Sequence, residues 1–192
     1  MDLFFTIKTE EERADYGRFA IEPLEQGYGH TLGAALRRVL LTSLPGSAIT
    51  TIKIDKVKHP FSTMQGVKED VIEVLLNLKK VRIKYDGHGP ASIQLEKKGP
   101  GDVKASDLKA SAGVEIINPE QHIATLSKDS KISADLTVET GIGFSPADER
   151  KSNVVGVIPT DAIFSPVTRV NYKIEQTRVG RVTNYDKLIV EL

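Results

Sequence analysis

The chain has 192 residues, enough for one large domain or two small ones around a buried core. Its 26 basic and 26 acidic residues cancel and the sequence pI is near 6.9, which argues against duplex nucleic-acid binding by phosphate neutralisation through this chain alone. With no cysteine there are no disulfides, thiolate metal sites or cysteine nucleophiles, and a reducing compartment fits. No apolar run approaches the roughly twenty residues a spanning helix needs, and the N-terminus lacks the basic-then-apolar order of a signal peptide, so a soluble, unexported protein is expected.

Residues 1–17 hold a small apolar knot, Leu3, Phe4, Phe5 and Ile7, followed by the mixed-charge run TEEERADYGR, and read as a short strand and then a turn or single helical turn. A strand over 18–24 runs into a glycine turn at Gly27 and Gly29 and then into about fourteen helical residues, stopped by Pro45 and Gly46. Leu32, Leu36, Val39 and Leu40 fall at i, i+4, i+7 and i+8, one aliphatic stripe that Leu41 and Leu44 widen, with Arg37 and Arg38 beside it. Such a stripe exceeds what covering one sheet requires. It reads either as an ordinary core helix or as one with a second chain to bury against.

Residues 49–57 alternate as a half-exposed strand, Ile52 and Ile54 against Lys53 and Asp55. Val67, Val71, Val74, Leu75 and Leu78 then follow helical spacing over 67–78, with Glu69 and Asp70 in the first turn and Lys79 and Lys80 at the other end, the charge order the helix dipole favours. From Val81 onward short alternating runs, VRIKY, SIQLE, VEII, HIATL and ISADLTVE, are separated by glycine, proline and aspartate turns. The glycine-rich, charged stretch 140–153 reads as a mobile, exposed loop. Strands follow at 154–158, 162–164, around Val170, Tyr172 and Ile174, and at 187–192; a chain that stops inside a strand suggests a cut.

The fold class expected is α+β with two subdomains. Residues 1–46 and 166–192 form a discontinuous sheet-plus-helix subdomain, interrupted by a mostly antiparallel β subdomain with one helix over 47–165.

Chemistry-bearing patterns are sparse. GYGHTLG between strand and helix invites a dinucleotide-binding reading, the enzyme-class alternative for the Gly27–Gly33 turn. That fingerprint needs GxGxxG, whereas here Leu32 takes the third glycine's place and Gly33 arrives one residue late. No GKS or GKT triplet completes a P-loop. His30, His59, His88 and His122 show no metal-ligand spacing, and His30 at the helix start reads as a capping or interface residue. Glu69 with Asp70, and Asp148 with Glu149, read as a helix N-terminus and a solvated loop. Catalytic, cofactor and metal residues are therefore expected to be none on this chain.

Five ordered blocks carry a resemblance: GYGHTLGAALRRVLL with SLPG, FSTMQGVKEDVIEVLLNLK, VEIINPEQHIATL, FSPVTRVNYKIEQTRVG and TNYDKLIVEL. Over 19–192 the chain resembles the N-terminal domain of the bacterial-type DNA-directed RNA polymerase alpha subunit. The resemblance implies the split subdomain arrangement and a non-catalytic subunit of a nucleotidyltransferase, which dimerises and serves as assembly platform for the beta and beta-prime subunits in transcription. Magnesium and the nucleotide site would belong to those partners. It implies a dimer seam at Tyr28, Leu32, Leu36, Val39 and Leu40, a beta-subunit contact at Arg38 with His30 on the same surface, and a beta-prime contact at Lys79. Localisation would be cytoplasmic, near the nucleoid, or the plastid stroma, with no membrane association. Two departures stand out: Ala34 replaces a usual asparagine, and the family's C-terminal dimer helix, linker and DNA-binding domain have no counterpart, so no direct DNA contact is expected.

Overall fold

The computed structural model describes residues 5–150, 154–180 and 182–192. In chain order the elements are β1 (Thr6–Arg13), β2 (Tyr16–Glu25), α1 (Tyr28–Thr42), β3 (Pro45–Ile54), α2 (Val71–Lys79), β4 (Ile83–Tyr85), β5 (Ala91–Lys98), β6 (Gly101–Lys104), β7 (Leu108–Ala110), β8 (Val114–Ile116), β9 (His122–Leu126), β10 (Lys131–Ile142), β11 (Phe144–Ser145), β12 (Val157–Pro159), β13 (Ala162–Ile163), β14 (Asn171–Val179) and β15 (Val182–Glu191). Single 3-10 turns lie at Ala105–Asp107 and Ala147–Arg150. The strand pairings are antiparallel, so the α+β class read from the sequence is the one observed. The chain divides into two compact units, Met1–Leu44 with Ser165–Leu192, and Pro45–Phe164.

The first unit is a four-stranded sheet in the order β1-β2-β15-β14 with α1 on one face. Register places Ile21 beside Leu188 and Leu188 beside Ile174, and Phe19 beside Val190 and Val190 beside Tyr172, so alternate residues of three strands make one apolar surface. Leu32, Leu36, Leu40 and Leu41 of α1 pack on its buried members Ile21, Leu24, Leu188 and Val190. The opposite face carries ion pairs over the buried Ala20 and Ile189: Lys8 to Glu22 at 2.9 Å, Lys187 to Glu10 at 2.7 Å and Arg18 to Glu10 at 2.9 Å. The Lys187 ammonium holds the Glu10 carboxyl below its usual range, and Lys8 does the same for Glu22.

The second unit is built on a larger sheet ordered β7-β5-β10-β3-β4-β8, with β12 also on β3, and two ribbons, β6–β9 and β11–β13. Alternation in β5, β10 and β3 sends Ile93, Leu95, Ile132, Leu136 and Ile52 into one core, where Val71, Val74, Leu75 and Leu78 of α2 complete it. Full burial of each of those four stabilises by roughly 1.5–3 kcal/mol before ordering entropy is subtracted. Asp70 caps α2, its carboxylate accepting the Glu73 N–H at 2.8 Å, a contact worth about 1 kcal/mol.

Several local expectations are corrected. The first segment is a strand and then a turn at Ala14 and Asp15, as read, but the strand, β1, runs eight residues through TEEER, because its charged residues find partners on β2 and β15. Phe5 and Ile7 are exposed, so the apolar knot is not formed by these two; Leu3 and Phe4 lie outside the described residues. Helix α1 ends at Thr42, before Pro45 and Gly46 as read, but those two residues begin β3, four residues ahead of the strand expected from Ile49. Helix α2 starts at Val71 instead of Val67, and Val67 is bridged to Leu126. The stretch from Thr140 is more than loop, carrying the end of β10, β11 and a 3-10 turn to Arg150, whose guanidinium donates to the carbonyls of Thr50 and Ser145; residues 151–153 lie outside the described residues.

Candidate interaction surfaces

The glycine turn before α1 is a packing and capping device. Gly27 takes φ 88°, the left-handed conformation glycine adopts at little cost. The next two glycines lie on the buried side of the helix. A Cβ on Gly29 would stand 3.1 Å from the Asp186 carboxylate, and one on Gly33 would stand 2.6 Å from the Tyr172 ring. Asp186, buried on β15, accepts the N–H groups of Gly27 at 2.9 Å and Gly29 at 3.3 Å. A carboxylate of the chain therefore occupies the positive helix end that a phosphate would need. That contact and the antiparallel sheet correct the dinucleotide alternative: Gly33, one residue late for the fingerprint, serves helix-to-strand packing. His30 was read as a cap or an interface residue. Its side chain makes no cap and is exposed; the cap comes from Asp186, which sequence reasoning missed.

The stripe read from the sequence divides on α1. Leu32, Leu36 and Leu40 turn to their own sheet and are partly buried against it. Tyr28 and Val39 are 54% and 49% exposed, and with the exposed Ala35 they line the flank next to Leu32 at i, i+7 and i+11 spacing. Arg37 and Arg38 are exposed, and among the described residues neither makes an ion pair. The Arg38 carbonyl accepts the Thr42 hydroxyl at 2.7 Å, a contact inside the helix that leaves the guanidinium unused.

Lys79 ends α2 at a second feature, an open groove of about 200 Å³. Leu75, Ile158 and Ala147 line it, with the exposed Phe61, Ile72 and Leu76 around it. Lys79 Nζ donates to Asp161 Oδ2 at 2.9 Å, while Asp161 Oδ1 accepts the Ala147 N–H at 3.0 Å. That N–H, and then Lys79, hold the Asp161 carboxyl below its usual range.

Glu69, read as a first-turn helix carboxylate, lies before the helix and is buried. It accepts the Thr125 N–H at 2.7 Å and hydroxyl at 3.0 Å, with the His122 ring at 3.1 Å. Burial pushes its pKa up, but the hydrogen bonds from Thr125 and His122 outweigh that, leaving it below the ordinary glutamate range. Among the described residues no three histidine, aspartate or glutamate side chains converge as metal ligands. No helix is long and apolar enough to cross a membrane among those residues.

The model of the family described as RNA polymerase Rpb3/RpoA insert domain matches residues 52–165. Curated relatives named DNA-directed RNA polymerase subunit alpha are similar over nearly all of the chain. That of Symbiobacterium thermophilum is 52% identical over 189 residues, covering 97% of the chain and 60% of the relative. That of Alkaliphilus oremlandii is 51% identical over 179 residues, covering 92% and 56%. That of Roseiflexus castenholzii is 53% identical over 179 residues, covering 93% and 55%. The chain thus spans a little over half the length of the curated relatives it matches.

Proposed function

The chain belongs to the bacterial RNA polymerase alpha subunit family, the family of the Rpb3/RpoA insert domain, and from that premise we propose that it is a non-catalytic assembly subunit of a DNA-dependent RNA polymerase. The observation that carries the reading is 52% identity over 97% of the chain to a protein of that name. In this role it pairs with a second copy and presents a platform to the beta and beta-prime subunits, which supply the nucleotide site and its magnesium. It works in the cytoplasm, where transcription takes place.

Pairing runs through α1. Tyr28 and Val39 meet their counterparts across a twofold axis, while Leu32, Leu36 and Leu40 bridge between that seam and the sheet beneath. One patch used against itself serves both copies. What supports this is the division of the stripe, which leaves Tyr28 and Val39 uncovered beside a packed row. His30 and Arg38 contact the beta subunit, the guanidinium offering its planar fork to carboxylates and main-chain carbonyls. Lys79 belongs to the beta-prime surface.

Light scattering after size exclusion tests the first part: a dimer, or association that grows with concentration, is expected, and a strict monomer at high concentration overturns it. For the second, Arg38→Ala is expected to leave folding unchanged, since the side chain is exposed, and to abolish capture of purified beta subunit. Normal capture by that variant assigns the contact elsewhere.

A further inference from the structure

Helix α1 is held to its sheet by two kinds of contact. Leu32, Leu36 and Leu40 pack on Ile21, Leu188 and Val190, and aliphatic burial is non-directional, so this row alone leaves the helix free to roll. Directional contacts come at the N-terminal end, where Asp186 Oδ2 accepts the N–H of Gly27 at 2.9 Å and that of Gly29 at 3.3 Å. The residue between those two amides is Tyr28, whose side chain is 54% exposed. One carboxylate oxygen thus grips the main chain on either side of the aromatic residue that begins the uncovered flank.

That carboxylate stands in an otherwise apolar row. Alternation along β15 sets Asp186 on the side of Leu188 and Val190, the side that α1 covers, and it is buried there. A buried carboxylate is unfavourable without hydrogen-bond donors, and the donors it meets are the amides of the helix entry. Glycine at position 29 admits it, since a Cβ would stand 3.1 Å from Oδ2 and 3.2 Å from Ile174 Cγ2.

We propose that Asp186 is a positioning residue for self-association: it sets the roll of α1 so that Tyr28 and Val39 stand in line on the uncovered flank. The role rests on the pairing through α1 given above and adds to it a residue that lies beneath the helix, not on the pairing face. Tyr28 and Val39 are about 16 Å apart along the helix axis, so a roll of the helix carries both off that line together. Around a twofold axis each copy brings the same error, and the mismatch doubles.

The test is the dimer dissociation constant, from sedimentation equilibrium of the full chain and of variants whose circular dichroism shows them folded. Asp186→Ala is expected to raise it roughly tenfold or more, and Asp186→Asn, whose amide oxygen accepts the same N–H groups, to recover most of that loss. Leu78→Ala, in the core of the second unit, is expected to be less stable than either and to leave the constant unchanged. In a Tyr28→Ala background Asp186→Ala is expected to have an effect of only about twofold, because the residue it positions is gone.

An unchanged constant for Asp186→Ala overturns the proposal, as does the absence of recovery in Asp186→Asn. Equally poor pairing by Leu78→Ala overturns it too, since lost stability would then explain both, and so does an equal effect of Asp186→Ala with and without the Tyr28 ring. If the unaltered chain is a monomer at every concentration, the pairing reading itself falls, and this inference with it.

Discussion

The two helices do opposite things with similar sequence patterns. Helix α2 buries Val71, Val74, Leu75 and Leu78 and carries its own cap one residue before it starts. Helix α1 buries only two glycines fully, leaves its leucines half covered, and takes its capping carboxylate from Asp186. The first is finished within its unit. The second has its leucines and glycines on the sheet and holds Tyr28 and Val39 in reserve. An amphipathic period says that a helix has an apolar side; what lies against that side depends on how wide the sheet beneath it is.

The largest break of this contrast is a truncation in α2. Leu78→Ala is expected to cost about 2–5 kcal/mol, since a fully buried side chain leaves a cavity, whereas Leu36→Ala on α1, at a half-covered position, should cost about half as much. Urea unfolding followed by circular dichroism reads both, and equal losses would deny the difference in closure. Next in size is Gly33→Ala, expected to cost about 1–3 kcal/mol because the added methyl must displace the Tyr172 ring or lift α1 off β14. The reverse change next to it, Ala34→Gly at an exposed position, should be milder, near 1 kcal/mol, a matter of helix propensity alone.

The two caps sharpen the comparison further. Asp186→Ala should cost about 1–2 kcal/mol and Asp70→Ala about 1 kcal/mol, the former at the upper end because a buried carboxylate bonded to two N–H groups is lost. Thermal unfolding of the two variants checks the order. Smaller again is an effect of pH confined to the second unit. Glu69 has a folded pKa below its unfolded value, so its contribution is present above the ordinary glutamate range and is lost as the pH falls through the depressed value. A titration of stability into acid should therefore be shallower for Glu69→Gln than for the parent chain, and identical slopes would remove Glu69 from the account. Smallest in stability is Val39→Ser, expected within about 0.5 kcal/mol of the parent while self-association falls.

Helix α2 was legible almost throughout, because four buried aliphatics at i, i+3, i+4 and i+7 and an aspartate just before them are local signals. Its first turn was misplaced for the same reason: Glu69 next to Asp70 looks like a pair of first-turn carboxylates, and only β9 reveals that one of them belongs to Thr125 and His122. The glycine turn was legible as a turn, but the purpose of Gly29 and Gly33 was not. It depends on Asp186 and Tyr172, whose approach is a tertiary event. Strand β1 was legible as a short strand, but its run through TEEER was not, because that stretch has no alternation; its Glu10 is placed by Lys187 and Arg18. The groove was equally silent, since Phe61, Leu76 and Asp161 come from separate stretches that no periodicity connects.

The position of β15 has a consequence for synthesis. It lies between β2 and β14, and it delivers the carboxylate that caps α1 from 159 residues downstream of Gly27. While the ribosome is still translating, the hairpin of β1 and β2 and the helix after it must wait as an unclosed half, because the middle of their sheet has not been made. The unit from Pro45 to Phe164 is contiguous and can close around its core in the meantime. The face of the sheet on which α1 lies is thus assembled late, after the intervening unit has its fold, and the exposed flank at Tyr28 and Val39 is not fixed in place until that strand has been drawn in.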